Sequence, residues 1–123
     1  MPENANAALR VALAYHQAWT TKDLDLALTY VADDIVCDAP AGRIDGRDAY
    51  RAFLEPFART LAGATLIAAF GDEDRALMMY DTSSALVPSA PGAECLTVVR
   101  GRISYNRFIF DRLPFAAARQ ATS

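Results

Sequence analysis

An α+β fold, with helices laid over one face of a curved antiparallel sheet, follows from the order of patterns along the 123-residue chain. Helical periodicity is gathered in the first half and β-compatible runs fill the second, with one short strand set among the helices. The late strands are apolar on both faces, so one face is left over after the helices have covered the other.

Residues 5 to 20 read as a helix, because Ala8, Val11, Ala12, Tyr15 and Trp19 form an apolar stripe with Arg10 and Gln17 off it. A shorter helix, from about Asp23 to Val31, repeats the pattern with Leu24, Ala27 and Leu28, and Asp33-Asp34 should end it. Ile35-Val36-Cys37 is a β-favouring run closed by Pro40. Asp45-Gly46-Arg47-Asp48 reads as a turn and helix start, with Asp45 as the cap and Ala49, Phe53, Phe57 and Leu61 on one helix face.

Ala64–Phe70 is the next strand, and Gly71-Asp72-Glu73-Asp74 the turn into a longer one, Arg75 to Val87. A Pro- and Gly-containing loop, 88–92, leads to strands Glu94–Val99 and Ile103–Phe110, joined by a hairpin at Arg100-Gly101. Pro114 argues against further strand. No repeat or linker divides residues 1–123, which read as a single domain.

Composition narrows the function. A net charge of −3 and a sequence pI near 5.0 leave no basic stripe for phosphates, so no nucleic-acid partner is expected. The start, MPENANAALR, lacks the charge and apolar core of a signal peptide, and no run approaches a membrane span, so a cytoplasmic location is expected. One histidine and two cysteines 58 positions apart make no zinc set, so no metal, no other cofactor and reduced thiols are expected.

Asp38 is the leading candidate for chemistry. Alternation places Ile35 and Cys37 on one strand face and Val36 and Asp38 on the other, and a carboxylate beside an apolar neighbour can act as a base. An Asp two residues before Pro is equally a turn former. The surplus apolar face on the late strands predicts a homodimer through the outer sheet face.

The element order, the Tyr30-Val31-Ala32-Asp33-Asp34 helix end, the turn Ile44-Asp45-Gly46-Arg47 and the closing Gly101-Arg102-Ile103 hairpin together resemble the nuclear transport factor 2-like superfamily, and within it the ketosteroid isomerase and SnoaL-like branch. The resemblance runs from about Ala7 to Asp111. It implies a cone-shaped, curved antiparallel or mixed sheet with about three N-terminal helices on its concave face, a scaffold that hosts isomerases, cyclases, dehydratases, hydrolases and plain binding proteins.

By the same resemblance, Asp38 falls at the catalytic base of ketosteroid isomerase and Tyr15 at its oxyanion tyrosine. The second oxyanion acid falls at Cys95, or at Glu94 or Thr97 if the alignment slips. The strand faces implied to look into the cone carry Leu77, Met79, Asp81 and Ser83, then Cys95 and Thr97, then Asn106, Phe108 and Phe110. Asp81 is then a further acid or base, or a structural acceptor. Trp19, Phe53 and Phe57 complete the expected substrate-binding set. The function implied is acid-base catalysis on a small hydrophobic carbonyl compound, by an isomerase, cyclase or dehydratase; the alternative is a non-catalytic small-molecule-binding or accessory protein.

Overall fold

The computed structural model describes residues 6–85 and 87–122. The expected leader-free start at residues 1–5, and Leu86 of the expected Arg75–Val87 strand, lie outside the described residues. The elements run α1 (Ala7–Thr20), α2 (Leu24–Thr29), β1 (Val31–Ala39), β2 (Gly42–Asp45), α3 (Arg47–Thr60), β3 (Leu61–Gly71), β4 (Arg75–Ser84), β5 (Gly92–Val99), β6 (Arg102–Phe110) and α4 (Leu113–Thr122).

One six-stranded sheet has the order β2-β1-β6-β5-β4-β3. All neighbours are antiparallel except β1 and β6, which run parallel and make the sheet mixed. The α+β architecture expected from the sequence is therefore present, with α1 and α3 packed on the inner face.

That inner face is filled by large aromatics. Trp19 and Tyr15 from α1, Tyr50 from α3 and Tyr80 from β4 are all fully buried, together with Ile35, Leu54, Met78, Leu96 and Ile103. Fully burying one such side chain contributes about 1.5–3 kcal/mol, so these rings dominate the cohesion of helices and sheet. The hairpin between β5 and β6 turns on Arg100 and Gly101 at φ 54° and 78°, the paired left-handed conformation of a two-residue hairpin loop.

Three local readings need correction. Asp33 and Asp34 do not end a helix; they lie within β1, which starts at Val31 and carries a register shift between Val31 and Val36. Asp45 is not the cap of α3: it closes β2 and pairs with Arg43, while Gly46 takes the N-cap position at φ 90°, where a side chain would be strained. The buried face of α3 is Tyr50, Leu54 and Ala58, with Phe53 and Phe57 only half-buried and Leu61 already in β3. Neither strand β2 nor helix α4 is among the elements expected from the sequence, because four residues ending in a turn and a ten-residue segment with Pro114 at its second position carry little periodic signal.

Candidate functional site

The site is built on β4, β5 and β6. Along β4, residues Ala76, Met78, Tyr80 and Thr82 are buried and alternate with exposed Arg75, Leu77, Met79 and Asp81. Along β5 the buried set is Gly92, Glu94, Leu96 and Val98, and along β6 it includes Asn106 and Phe108. Cross-strand register sets Tyr80 opposite Gly92 and Leu96 opposite Asn106, so Glu94 lies one diagonal step from both Tyr80 and Asn106.

Those diagonals become hydrogen bonds. The Tyr80 hydroxyl donates to Glu94 Oε2 at 2.8 Å, and Asn106 Nδ2 donates to Glu94 Oε1 at 2.8 Å and to the Tyr50 hydroxyl at 2.9 Å. Tyr50 in turn is hydrogen-bonded to Tyr15. Five buried side chains from five elements therefore form one chain: Tyr15, Tyr50, Asn106, Glu94, Tyr80.

Glu94 is only 1% exposed, and both of its oxygens are satisfied by protein donors. Burial pushes its carboxyl up from 4.5 to about 7, against the opposing pull of the bonds from Tyr80 and Asn106. Burial and the nearby Glu94 charge also push the Tyr80 hydroxyl well above its ordinary value, so Tyr80 stays a neutral donor. Its ring is fixed by His16 at 4.8 Å and Trp19 at 5.6 Å between centroids.

Tyr80 also forms part of the wall of a cavity of about 400 Å³. Phe53, Leu54, Pro56 and Phe57 from α3, Phe108 and Phe110 from β6, and Phe115 and Ala118 from α4 supply much of its apolar lining; Val87, Ala90 and Pro91 close another side. Edge-to-face ring contacts fix this wall, with Phe53, Phe108, Phe110, Phe115 and Phe57 in successive contact at centroid distances of 5.4–6.0 Å. The size and apolar character suit a small hydrophobic ligand. Gly92 is part of the design: a Cβ there would stand 3.2 Å from the Tyr80 ring.

The residues expected at the site divide between the two faces of the sheet. Phe53, Phe57, Phe108 and Phe110 line the cavity. Trp19 is a layer behind it, packed on Phe57 and Tyr80, and Asn106 is buried as the clamp on Glu94. Tyr15 is fully buried with its hydroxyl engaged by Tyr50, away from the cavity wall.

The remaining expectations are corrected. Asp38 lies on the outer face, half-buried, and accepts a 2.6 Å hydrogen bond from the Tyr105 hydroxyl; it is Cys37 that points inward, opposite Asn106. Asp81 is exposed on the outer face of β4, as are Leu77 and Met79, while half-buried Cys95 and Thr97 are on the outer face of β5. The physical cause is a one-residue error of phase: both faces of β4 are apolar, so alternation defined two faces without saying which meets the helices, and a slip of one turns every side chain over. Of the three positions considered for the second oxyanion acid, Glu94 is the inward one. His16 is buried against Tyr80, and burial lowers its imidazole to about 4.

A cone of curved sheet and covering helices with a buried polar chain at one end of an apolar cavity defines a nuclear transport factor 2-like, cystatin-like fold. The SnoaL-like domain model matches residues 12–106, and the chain belongs to that family. A crystal structure of a protein from Kribbella flavida DSM 17836 is 60% identical, superposes with a TM-score of 0.92, and the match covers 94% of this chain and 96% of that one. A candidate polyketide cyclase from Xanthomonas campestris pv. campestris is 21% identical with a TM-score of 0.74, covering 94% and 98% of the two chains. A de novo designed protein with a curved β-sheet is 10% identical with a TM-score of 0.79, covering 98% and 96%. None of the curated proteins matches the chain. At 21% and 10% identity the likeness is one of fold alone. Among the described residues no helix is long and apolar enough to cross a membrane.

Proposed function

We propose that this SnoaL-like protein acts on a small hydrophobic carbonyl compound by acid-base catalysis, of the isomerase, cyclase or dehydratase type, and that the proton is carried by Tyr80 and Glu94. One observation carries the reading: Tyr80 stands in the wall of the apolar cavity with its hydroxyl on a fully buried Glu94 whose carboxyl is held near neutrality, at about 7. A group balanced at the working pH can both take and return a proton.

The step conserves protons. With Glu94 ionised, the Tyr80 hydroxyl proton moves to Glu94 as the Tyr80 oxygen takes a proton from the carbon next to the ligand's carbonyl. Reversal returns the proton to another carbon, which is isomerisation, or to a leaving hydroxyl, which is dehydration. Because the Tyr80 hydroxyl is held well above its ordinary value, the two transfers occur together and no free tyrosinate forms. Asn106 holds the second Glu94 oxygen throughout, which fixes the carboxylate toward Tyr80.

A panel of steroid, polyketide-like and terpenoid ketones tests the reading by turnover. Tyr80→Phe and Glu94→Gln should each lower kcat by about 10²-fold or more, the usual contribution of a positioned acid or base, and Glu94→Gln should remove the pH limb near neutrality. Asp38→Asn should leave turnover near wild type. The opposite pattern, with Asp38→Asn inactive and the other two active, would return the chemistry to the outer face and overturn the assignment.

A second reading, a non-catalytic binding or accessory protein, is favoured by one feature: among the described residues, none that lines the cavity is a carboxylate or a histidine. Tight binding of panel ketones without conversion of any of them would select it.

A further inference from the structure

We infer that the cavity takes a two-ended ligand, a hydrophobic body with a carbonyl at one end and a carboxylate at the other, and that Arg112 is the residue that receives the carboxylate. The inference rests on the reading of the cavity as a ligand site and names the class of compound it selects.

The argument is an account of polar groups. Five of the lining residues have polar side chains: Thr60, Tyr80, Thr82, Ser84 and Arg112. Three of them are already committed to their own backbone, since Thr60 donates to the Phe57 carbonyl at 3.0 Å, Thr82 to the Ala90 carbonyl at 2.6 Å and Ser84 to the Val87 carbonyl at 3.3 Å. That leaves Tyr80, backed by Glu94, and Arg112. Tyr80 is buried and Arg112 is exposed, so the two polar ends lie at different depths.

Arg112 differs from the other arginines near the helices. Arg47, Arg51 and Arg59 are each held by a carboxylate, on Asp33, on Asp25 and Glu55, and on Glu55 respectively. No ion pair or side-chain hydrogen bond engages the Arg112 guanidinium among the described residues. The neighbouring acid, Asp111, is turned away to accept from the Leu113 amide at 2.9 Å. Among the described residues no acid lines the cavity, and Arg112 is the one cation on its wall. A guanidinium fork beside a low-dielectric apolar wall is suited to a carboxylate, which it can hold by two parallel bonds. An apolar ligand with no anion would leave that cation unmatched.

The test uses 4-oxo-4-phenylbutanoate and its methyl ester, which share a body and carbonyl and differ in the charge. Dissociation constants are measured by calorimetry for the wild type, Arg112→Gln, Arg112→Lys and Tyr80→Phe. The wild type should bind the acid at least tenfold more tightly than the ester. Arg112→Gln should abolish that preference while leaving ester binding unchanged, Arg112→Lys should keep part of it, and Tyr80→Phe should weaken both probes alike. Arg112 is exposed, so its variants should melt as the wild type does. Equal affinity for acid and ester in the wild type, or a preference that survives Arg112→Gln, overturns the inference and leaves the cavity reading standing. Failure of the wild type to bind either probe at millimolar concentration removes both.

Discussion

Replacing Glu94 by Gln should change how stability depends on pH, and the size of the change can be worked out. Glu94 is protonated in the folded protein up to about 7 but ionises near 4.5 when exposed by unfolding. A group whose folded value is raised contributes stability that is fully present below its unfolded value and lost as pH rises through the folded one. The window is therefore about 4.5 to 7, and at about 1.4 kcal/mol per unit the loss across it is about 3 kcal/mol.

His16 works in the opposite sense. Burial lowers it from 6.5 to about 4, so its contribution is present above 6.5 and is lost as pH falls toward 4. Between roughly pH 4.5 and 6.5 the two slopes oppose one another, and the wild type should be nearly flat there before declining toward 7. Glutamine keeps the shape and can still accept from Asn106 through its side-chain oxygen, but does not titrate. Urea unfolding of Glu94→Gln from pH 4.5 to 8.5 should then show the His16 slope alone, with stability rising to about 6.5 and level above it. The difference between variant and wild type should grow by about 3 kcal/mol in favour of the variant over that range. Parallel pH profiles for the two proteins would refute the reasoning, because they would mean that Glu94 ionises alike folded and unfolded.

Other consequences are as direct. Tyr80→Phe removes a donor that pulls the Glu94 carboxyl down, so that carboxyl should rise beyond about 7, and unfolding should show a cost of about 1–3 kcal/mol for the acceptor left without a partner. Gly92→Ala places a methyl 3.2 Å from the Tyr80 ring, which His16 and Trp19 prevent from yielding; a loss of about 1–3 kcal/mol in chemical denaturation, with weaker ligand binding, is expected. Asp38→Asn should shift stability by no more than about 1 kcal/mol, since Asp38 is half-buried on the outer face and amide can replace carboxylate as the acceptor from Tyr105. The outer face carries Leu77 at 57%, Met79 at 50% and Ile109 at 58% exposure, and we propose that a second copy covers it: light scattering at micromolar concentration should return twice the 13.3 kDa of the chain, and a monomeric mass would remove the proposal.

Long periodic segments were legible in the sequence, and so was the order of the elements along the chain. The Ala8-Ala12-Tyr15-Trp19 stripe is the buried face of α1, and Arg100-Gly101 is the turn of the last hairpin, because in each case local chemistry alone decides the outcome. Family resemblance carried the architecture as far as the SnoaL-like domain.

The site was less legible, for a reason tied to strand geometry. On β4 the sets Ala76-Met78-Tyr80 and Leu77-Met79 are similarly apolar, and only tertiary packing chooses between them. Choosing the other phase brought Asp81 inward and turned Tyr80 outward. A better signal lay in the next strand: Glu94 alternates with Leu96 and Val98, an acid in an apolar series that requires a partner, and Gly92 makes room for an aromatic ring opposite. On β6 the register shift between Thr97 and Val98 puts Ile103 on the same buried face as Asn106 and Phe108, which strict alternation forbids.

The most direct measurement of the central claim follows the Glu94 carboxyl carbon by NMR through a pH titration, with and without a bound hydrophobic ketone from the panel. The account predicts a midpoint near 7 in the free protein that moves when the ketone occupies the cavity beside Tyr80. A Glu94 midpoint near 4.5, indifferent to ligand, would contradict it.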